Sequence, residues 1–232
     1  MDNITIQYCF IAPKCNENFI LQLDAKTLEL QLIDDESQYL PSWAKLDFHQ
    51  CPNCPLTVST HPYCPLTVNI ANIVKRFENM TSYDKIHLKV ITKERVISQD
   101  TTIQRGIGSL IGLVIATSGC PHASFLRPMA RFHLPLATEE ETIYRTTSMY
   151  LLSQYFKIKD GKEPDFDLQN LLISYQNMHT VNIAITKRLQ SANKTDSMIN
   201  GVILLDLFAK ALPFVIEDSL EEIRYLFEPF SK

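Results

Sequence analysis

The stretch Cys51-Pro-Asn-Cys-Pro-Leu-Thr-Val58 is followed, ten residues later, by a near copy, His61-Pro-Tyr-Cys-Pro-Leu-Thr-Val68. Six of the eight positions are identical, and the first position exchanges cysteine for histidine, a second type of metal ligand. Each copy separates two ligands by two residues, a spacing at which one tight turn can direct both side chains toward the same ion. We therefore expect the repeat to bind metal and to fasten the strands before it to the helices after it.

Composition places the chain among ordinary globular proteins. Its 232 residues are 45% hydrophobic and 21% charged, with a net charge of -4 and a pI of about 5.9. The basic residues are scattered, so neither nucleic acid nor an anionic membrane is expected as a partner. The start of the chain does not resemble a signal peptide, and the longest apolar run is too short to span a bilayer. We expect a cytoplasmic protein with reduced thiols.

The first 102 residues have mainly a strand pattern. Apolar residues alternate with polar ones over residues 4–10 and again over residues 28–32, as in a half-buried sheet. Residues 86–91 and 95–97 predict a β-hairpin, and helical spacing begins after Pro65. A small N-terminal antiparallel sheet is therefore predicted, with the Cys/His repeat forming a metal knuckle beside it.

The remaining residues, 103–232, predict a C-terminal helical bundle. A helix rich in small residues is expected over 103–117, and Thr138 with Glu141 predicts a capping box that opens a helix to about residue 157. Further helices are expected from about 165 to 190, from about 195 to 211 with Pro213 ending it, and over 219–227. The fold class is α+β, divided into a β-rich part (1–102) and a helical part (103–232), or continuous as one domain.

The repeat offers a Cys3His set made of Cys51, Cys54, His61 and Cys64. Four ligands close the tetrahedral coordination of zinc, which makes such a site structural rather than catalytic. The loop between the two copies is short for wrapping four ligands around one ion. Cys120 is therefore the expected substitute ligand. The alternative is two similar turns with buried thiols and no metal.

Four of the six cysteines, Cys51, Cys54, Cys64 and Cys120, are followed by proline. This dipeptide is frequent at the ligands of iron–sulfur clusters, where the proline turns the chain away from the sulfur. Four such thiolates would complete a cluster. A proline at the first helical position, with the cysteine as N-cap, explains the same pattern without a metal.

Thiol chemistry is the rival interpretation of these cysteines. A cysteine at a helix N-terminus has a lowered pKa, and Cys120 would then be a nucleophile with His122 or His133 as its base. The pair Cys51 and Cys54 has the spacing of a redox dithiol. The simpler alternative is that Cys120 is a small buried residue in a bend.

The segment 126–135 is an irregular, proline-containing connector between the two halves, where a cleft is expected. Its Arg127, Arg131 and His133 could bind an anion. The competing expectation is that one arginine pairs with the acidic run 139–141 and the other faces water.

A resemblance to known proteins rests on three stretches: the doubled motif, Ser-Gly-Cys-Pro at 118–121 and Arg-Pro-Met-Ala-Arg-Phe-His-Leu-Pro at 127–135. From about residue 49 onward, these stretches resemble an uncharacterised family of bacterial proteins. The resemblance implies a bacterial, cytoplasmic setting and no particular activity. From the residues, we expect a zinc-binding regulatory or interaction protein that forms homo-oligomers through its helical half. The alternative is a thiol-dependent or iron–sulfur redox enzyme centred on Cys120 or on the Cys51/Cys54 pair.

Overall fold

A four-stranded antiparallel sheet forms the N-terminal part of the fold. The computed structural model describes residues 3–13, 15–31, 40–192 and 196–230. The strands are β1 (Asn3–Ala12), β2 (Cys15–Asp24), β3 (Lys85–Ile91) and β4 (Val96–Thr102), in the spatial order β2-β1-β3-β4. The predicted α+β class and the predicted hairpin over residues 86–97 are confirmed.

The alternation of residues 4–10 arises because one face of β1 is buried. Ile6, Tyr8 and Phe10 are completely buried. The second predicted strand, over residues 28–32, is wrong for its described part. The Asp24 carboxylate accepts hydrogen bonds from the amides of residues 26 and 27, and Leu28 adopts a positive φ of 58°. A turn forms there instead, and only an isolated bridge pairs Leu30 with Leu23; residue 32 lies outside the described residues.

Helices make up most of the rest of the described chain. They are α1 (Pro65–Arg76), α2 (Ile103–Thr117), α3 (Arg127–Arg131), α4 (Glu139–Lys159), α5 (Gln169–Ala192) and α6 (Asp196–Glu222), with 3-10 turns at Ser42–Ala44, Pro121–Leu126 and Arg224–Phe230. The predicted capping box is confirmed, because the Thr138 hydroxyl accepts from the Glu141 amide and the Glu141 carboxylate accepts from the Thr138 amide.

Pro213 does not end a helix, contrary to the prediction. Helix α6 continues through it to Glu222, and the predicted helix over 219–227 is divided between the end of α6 and a 3-10 turn. Proline removes one backbone donor from a helix, a cost that tertiary packing can exceed. Leu212 and Ile216, on either side of the proline, are both buried in the core, so packing holds both turns in place.

Helix α2 is the central element of the core, between the sheet and α6. A methyl group added at Gly106 would lie 2.8 Å from a ring carbon of Phe10, and one added at Gly108 would lie 3.2 Å from the carbonyl oxygen of Gly201 in α6. The glycines thus permit the close approach of β1 and of α6 to α2. Buried residues from the sheet, α1, α2, α5 and α6 form one hydrophobic core cluster.

Within the described residues, one helix is long and apolar enough to cross a membrane. This segment, Asp196–Phe214 of α6, has a mean hydropathy of 1.4, and 33% of it is buried in the fold. The pair Ile103–Thr117 and Pro121–Arg131 satisfies the same criterion jointly, with a bend of 109°. Core helices of soluble proteins share these properties, so the expected absence of a membrane partner stays a prediction.

Candidate functional site

Four cysteines from three separate segments meet in the structure. Cys51 and Cys54 lie in a turn in which the Cys54 amide donates to the Cys51 carbonyl over 3.0 Å. Cys64 is the N-cap of α1, and Cys120 is the N-cap of the 3-10 turn Pro121–Leu126. A proline follows each of these two caps, at the first helical position. An N–H at that position would have no acceptor within the helix, so a proline there, which lacks the N–H, loses no hydrogen bond.

The four cysteines line one small cavity of about 20 Å³. Its other lining residues are mostly apolar: Leu46, Leu56, Pro65, Leu66, Pro121, His122, Val181 and Ile185. The cavity therefore lies where the N-terminus of α1, the 3-10 turn after α2 and the middle of α5 come together. We call these four cysteines and the cavity between them the thiol site.

Backbone hydrogen bonds hold the segments of the thiol site in register. The Cys64 amide donates to Ala44 O over 2.9 Å, and the Leu46 amide donates to Pro62 O over 3.0 Å. The Cys120 amide donates to the Ser118 hydroxyl over 3.3 Å. Because these bonds fix the backbone on both sides, the positions of the sulfurs follow from the fold rather than from the local sequence alone.

Burial and the proximity of the other thiols both raise the pKa values of Cys51 and Cys120. Burial, together with the neighbouring Cys64, Cys120 and Cys54, raises the pKa of Cys51 to about 12. Burial also raises the pKa of Cys120 to about 11, although the amides of His122 and Ala123 lower it in part. A nucleophilic cysteine requires the opposite shift. Without a bound cation, the thiols of Cys51 and Cys120 are therefore protonated at neutral pH.

A buried arginine lies beside the thiol site. Arg188 of α5 is only 1% exposed. Its guanidinium donates to the carbonyls of Trp43 (2.9 Å), Lys45 (2.7 Å) and Leu46 (2.9 Å), and its charge lowers the pKa of Cys51. No carboxylate in the described part of the chain forms an ion pair with it. This positive charge is therefore free to compensate negative charge on the thiol site.

His122 connects two parts of the thiol site. Its Nε2 lies 2.6 Å from Asn53 O, and since a carbonyl only accepts, Nε2 carries the proton. The Asn53 side chain in turn donates to the Asn177 side chain of α5 over 3.0 Å. The ring of His122 is thus used to fasten the Cys51–Cys54 turn, not as a base toward Cys120.

His61, the histidine of the predicted Cys3His set, lies away from the cavity. Its ring is exposed, and its Nδ1 is 2.9 Å from the hydroxyl of Thr60. The structure thus brings together the four cysteines that precede proline. Among the described residues, no group of three or more His, Cys, Asp or Glu side chains is placed so that it could hold a metal ion.

His133, the other proposed base, lines a different and much larger cavity. Its Nε2 is 2.5 Å from the hydroxyl of Tyr8, which also contacts the hydroxyl of Ser109 at 2.9 Å. Burial, followed by the charge of Arg145, lowers the pKa of His133 to about 3. His133 is therefore neutral at physiological pH and belongs to the large cavity rather than to Cys120.

The two arginines of the connector do not converge on an anion site. Arg127 forms a 2.7 Å ion pair with Glu29, and Arg131 is exposed, with its guanidinium 5.4 Å from the Phe132 ring centroid. The expected pairing of one arginine with the acidic run 139–141 is therefore wrong, since Arg127 pairs with Glu29 instead, whereas the other arginine does face water, as expected. The expected cleft is present, since the connector forms part of the wall of the large cavity.

Comparison with known proteins gives one match. The family model described as a domain of unknown function (DUF6901) matches residues 4–228. The chain belongs to the DUF6901 family. No curated protein and no solved structure matches it significantly. The expectation of an uncharacterised family is confirmed, whereas the bacterial and cytoplasmic setting stays a prediction. The matched region of this DUF6901 protein contains all four cysteines of the thiol site.

Sequence reasoning missed Arg188. The signal was present, because Val181, Ile185 and Arg188 follow one another at helical spacing and therefore share a face of α5. The first two line the thiol site in this DUF6901 protein. An arginine that continues an apolar stripe indicates a buried cation with a specific partner.

Proposed function

We propose that this DUF6901 chain is a metal-binding protein whose centre is held by the thiolates of Cys51, Cys54, Cys64 and Cys120. The observation that carries the proposal is the convergence of these side chains, from three segments, on one apolar cavity. Metal binding replaces the thiol protons and neutralises thiolates that burial alone would disfavour. Arg188 supports the proposal because four thiolates around a divalent ion, or around a cluster with two positive charges, leave a net negative centre.

An iron–sulfur cluster is one candidate for the metal. All four cysteines precede proline, as ligands of such clusters often do. The donor set contains only sulfur, which restricts the metals to zinc and iron–sulfur centres among the common cases.

Structural zinc is the other candidate, and it is the one that the size of the cavity favours. A volume of about 20 Å³ accommodates one body the size of a water molecule or an ion. Four thiolates would close the zinc coordination and leave no position for a substrate. In either case, we propose that the centre fastens the segment before α1 to the helical half, in a regulatory or interaction protein.

The test is metal analysis of the full chain, purified without a tag under anaerobic conditions. A cluster would give a brown protein that absorbs near 400 nm, with about four iron and four sulfide per chain. Zinc would give a colourless protein with about one zinc per chain. Less than about 0.2 equivalents of any transition metal would refute the proposal.

Two variants and two matched controls test the ligand set. Cys120→Ala and Cys64→Ala are expected to lose the metal. His61→Ala and Cys9→Ala are expected to retain it, because His61 is exposed and Cys9 lies in β1 with its Sγ 3.6 Å from Asn18. Far-UV circular dichroism of each variant checks the fold. Loss of metal in His61→Ala together with full metal in Cys120→Ala would contradict the four-thiolate centre and restore the Cys3His set.

A further inference from the structure

The large cavity is a second candidate site, with no lining residue in common with the thiol site. It has a volume of about 650 Å³ and lies among α2, the connector, α4, α5 and α6. Its walls are predominantly apolar, with Leu113, Met178 and Leu205 among the lining residues. A cavity of this volume and lining is typical of sites for small molecules with a large apolar body.

One polar atom inside this apolar lining has no partner. Asn182 of α5 is a lining residue and only 3% exposed, and its Oδ1 accepts no hydrogen bond. A buried polar atom without a partner costs about 1–3 kcal/mol. A ligand with a hydroxyl group on its apolar body would supply the missing donor.

A positive charge lies at another position of the lining. Arg145 of α4 uses Nη2 to donate to Met129 O (3.1 Å) and Phe132 O (2.9 Å). In the described part of the chain it forms no ion pair with a carboxylate. Its remaining donors can therefore bind an anionic group, and a carboxylate matches the planar guanidinium.

The two anchors are separated along the cavity. Arg145 is adjacent in sequence to Thr146, whose hydroxyl is 2.8 Å from that of Tyr175 on α5. Tyr175 and Asn182 are seven residues apart on that helix, which corresponds to about 10 Å along its axis. A ligand that reaches both anchors thus carries a carboxylate and a hydroxyl separated by a chain of about that length.

We propose that the large cavity binds a hydroxylated long-chain carboxylic acid, with its carboxylate at Arg145, its hydroxyl donating to Asn182 Oδ1 and its chain along the apolar walls. The neutral His133 fits this arrangement, because it adds no charge next to the chain.

The test compares three ligands by isothermal titration calorimetry below their micellar concentrations. They are 10-hydroxystearic acid, stearic acid, which lacks the hydroxyl, and 1,10-octadecanediol, which lacks the carboxylate. The wild-type protein is expected to bind one equivalent of the hydroxylated acid, at least tenfold more tightly than either of the other two. Equal affinity for 10-hydroxystearic and stearic acid, or no saturable binding, overturns the proposal without any variant.

Two variants assign the anchors. Asn182→Leu is expected to remove the preference for the hydroxylated acid over stearic acid. Arg145→Met is expected to weaken both acids at least tenfold and to leave the diol unchanged, whereas Arg131→Met, a change at an exposed neighbouring arginine outside the cavity, should change none. Arg145→Lys retains the charge and serves if the methionine variant fails to fold. An unchanged preference in folded Asn182→Leu would also overturn the proposal.

Discussion

The buried guanidinium of Arg188 gives the sharpest prediction about stability. Arg188→Met keeps an apolar stem of similar length and removes the charged group. The carbonyls of Trp43, Lys45 and Leu46 then lose donors at 2.9, 2.7 and 2.9 Å. The segment that carries these carbonyls also pairs with the backbone next to Cys64. The substitution therefore acts on one wall of the thiol site as well as on the core.

The magnitude follows from the three carbonyls. Each buried acceptor that loses its donor costs about 1–3 kcal/mol. At the lower end of this range, the three together reduce the free energy of unfolding by about 3 kcal/mol. The variant no longer buries a guanidinium charge, and this gain offsets part of the free energy lost with the hydrogen bonds. We therefore use the lower end of the range. A loss of this size is a large share of the stability of a typical domain.

Urea denaturation of the purified protein measures the change. Lys187→Met is the matched control, since Lys187 is the exposed neighbour of Arg188 on α5, and it should stay within about 0.5 kcal/mol of the wild type. Arg188→Lys keeps the charge but lacks the planar fork that reaches three carbonyls, so it should fall between the two. A loss below about 1 kcal/mol in Arg188→Met would refute this reasoning.

Three other predictions concern stability. Gly201→Ala should destabilise the fold by about 1–3 kcal/mol, because its methyl group would lie 2.8 Å from Ile107. In Gly112→Ala the nearest atom to the methyl group would lie at 3.4 Å, so this variant should be neutral or stabilising. Thermal unfolding compares the two variants. Thr138→Ala removes the hydrogen bond that caps α4 and should cost about 1 kcal/mol in urea denaturation. His133 has a folded-state pKa of about 3 against an ordinary 6.5, so the unfolded chain binds its proton first and stability falls as the pH drops from 6.5 toward 3. His133→Gln should flatten this dependence by up to about 1.4 kcal/mol per pH unit in urea denaturation between about pH 7.5 and 5.5, and an unchanged slope would contradict the pKa assignment.

The parts of the fold that the sequence predicted correctly are those set by local periodicity and capping. The alternation in β1 and the capping box of α4 each depend on residues within one turn or one strand, so their signals are complete in the sequence. Pro213 was misjudged because the helix around it is maintained by the burial of Leu212 and Ile216. Tertiary packing of this kind is invisible in a window of a few residues.

The candidate site likewise has one part that the sequence indicated and one part that it did not. The Cys-Pro pattern grouped the four cysteines that line the small cavity, whereas ligand spacing within the repeat favoured His61. The spacing argument assumed that both copies of the motif turn their ligands inward. In the structure, Cys64 is the one of the second copy's two candidate ligands that lines the cavity, and His61 interacts with Thr60. The convergence of Cys120 depends on the end of α2, about which the repeat itself contains no information.

Helix α5 links the two proposed sites physically. Val181 and Ile185 line the thiol site, Tyr175 and Asn182 line the large cavity, and Asn177 receives the hydrogen bond from the Cys51–Cys54 turn. If metal binding orders that turn against α5, it also positions the wall that holds the ligand. Coupling between two sites is reciprocal, so 10-hydroxystearic acid should bind at least about fivefold more tightly to the metal-loaded than to the metal-free protein, and the metal should be retained more tightly in the presence of the acid. Equal affinities in calorimetric titrations of the two forms would show that α5 is rigid enough to keep the sites independent.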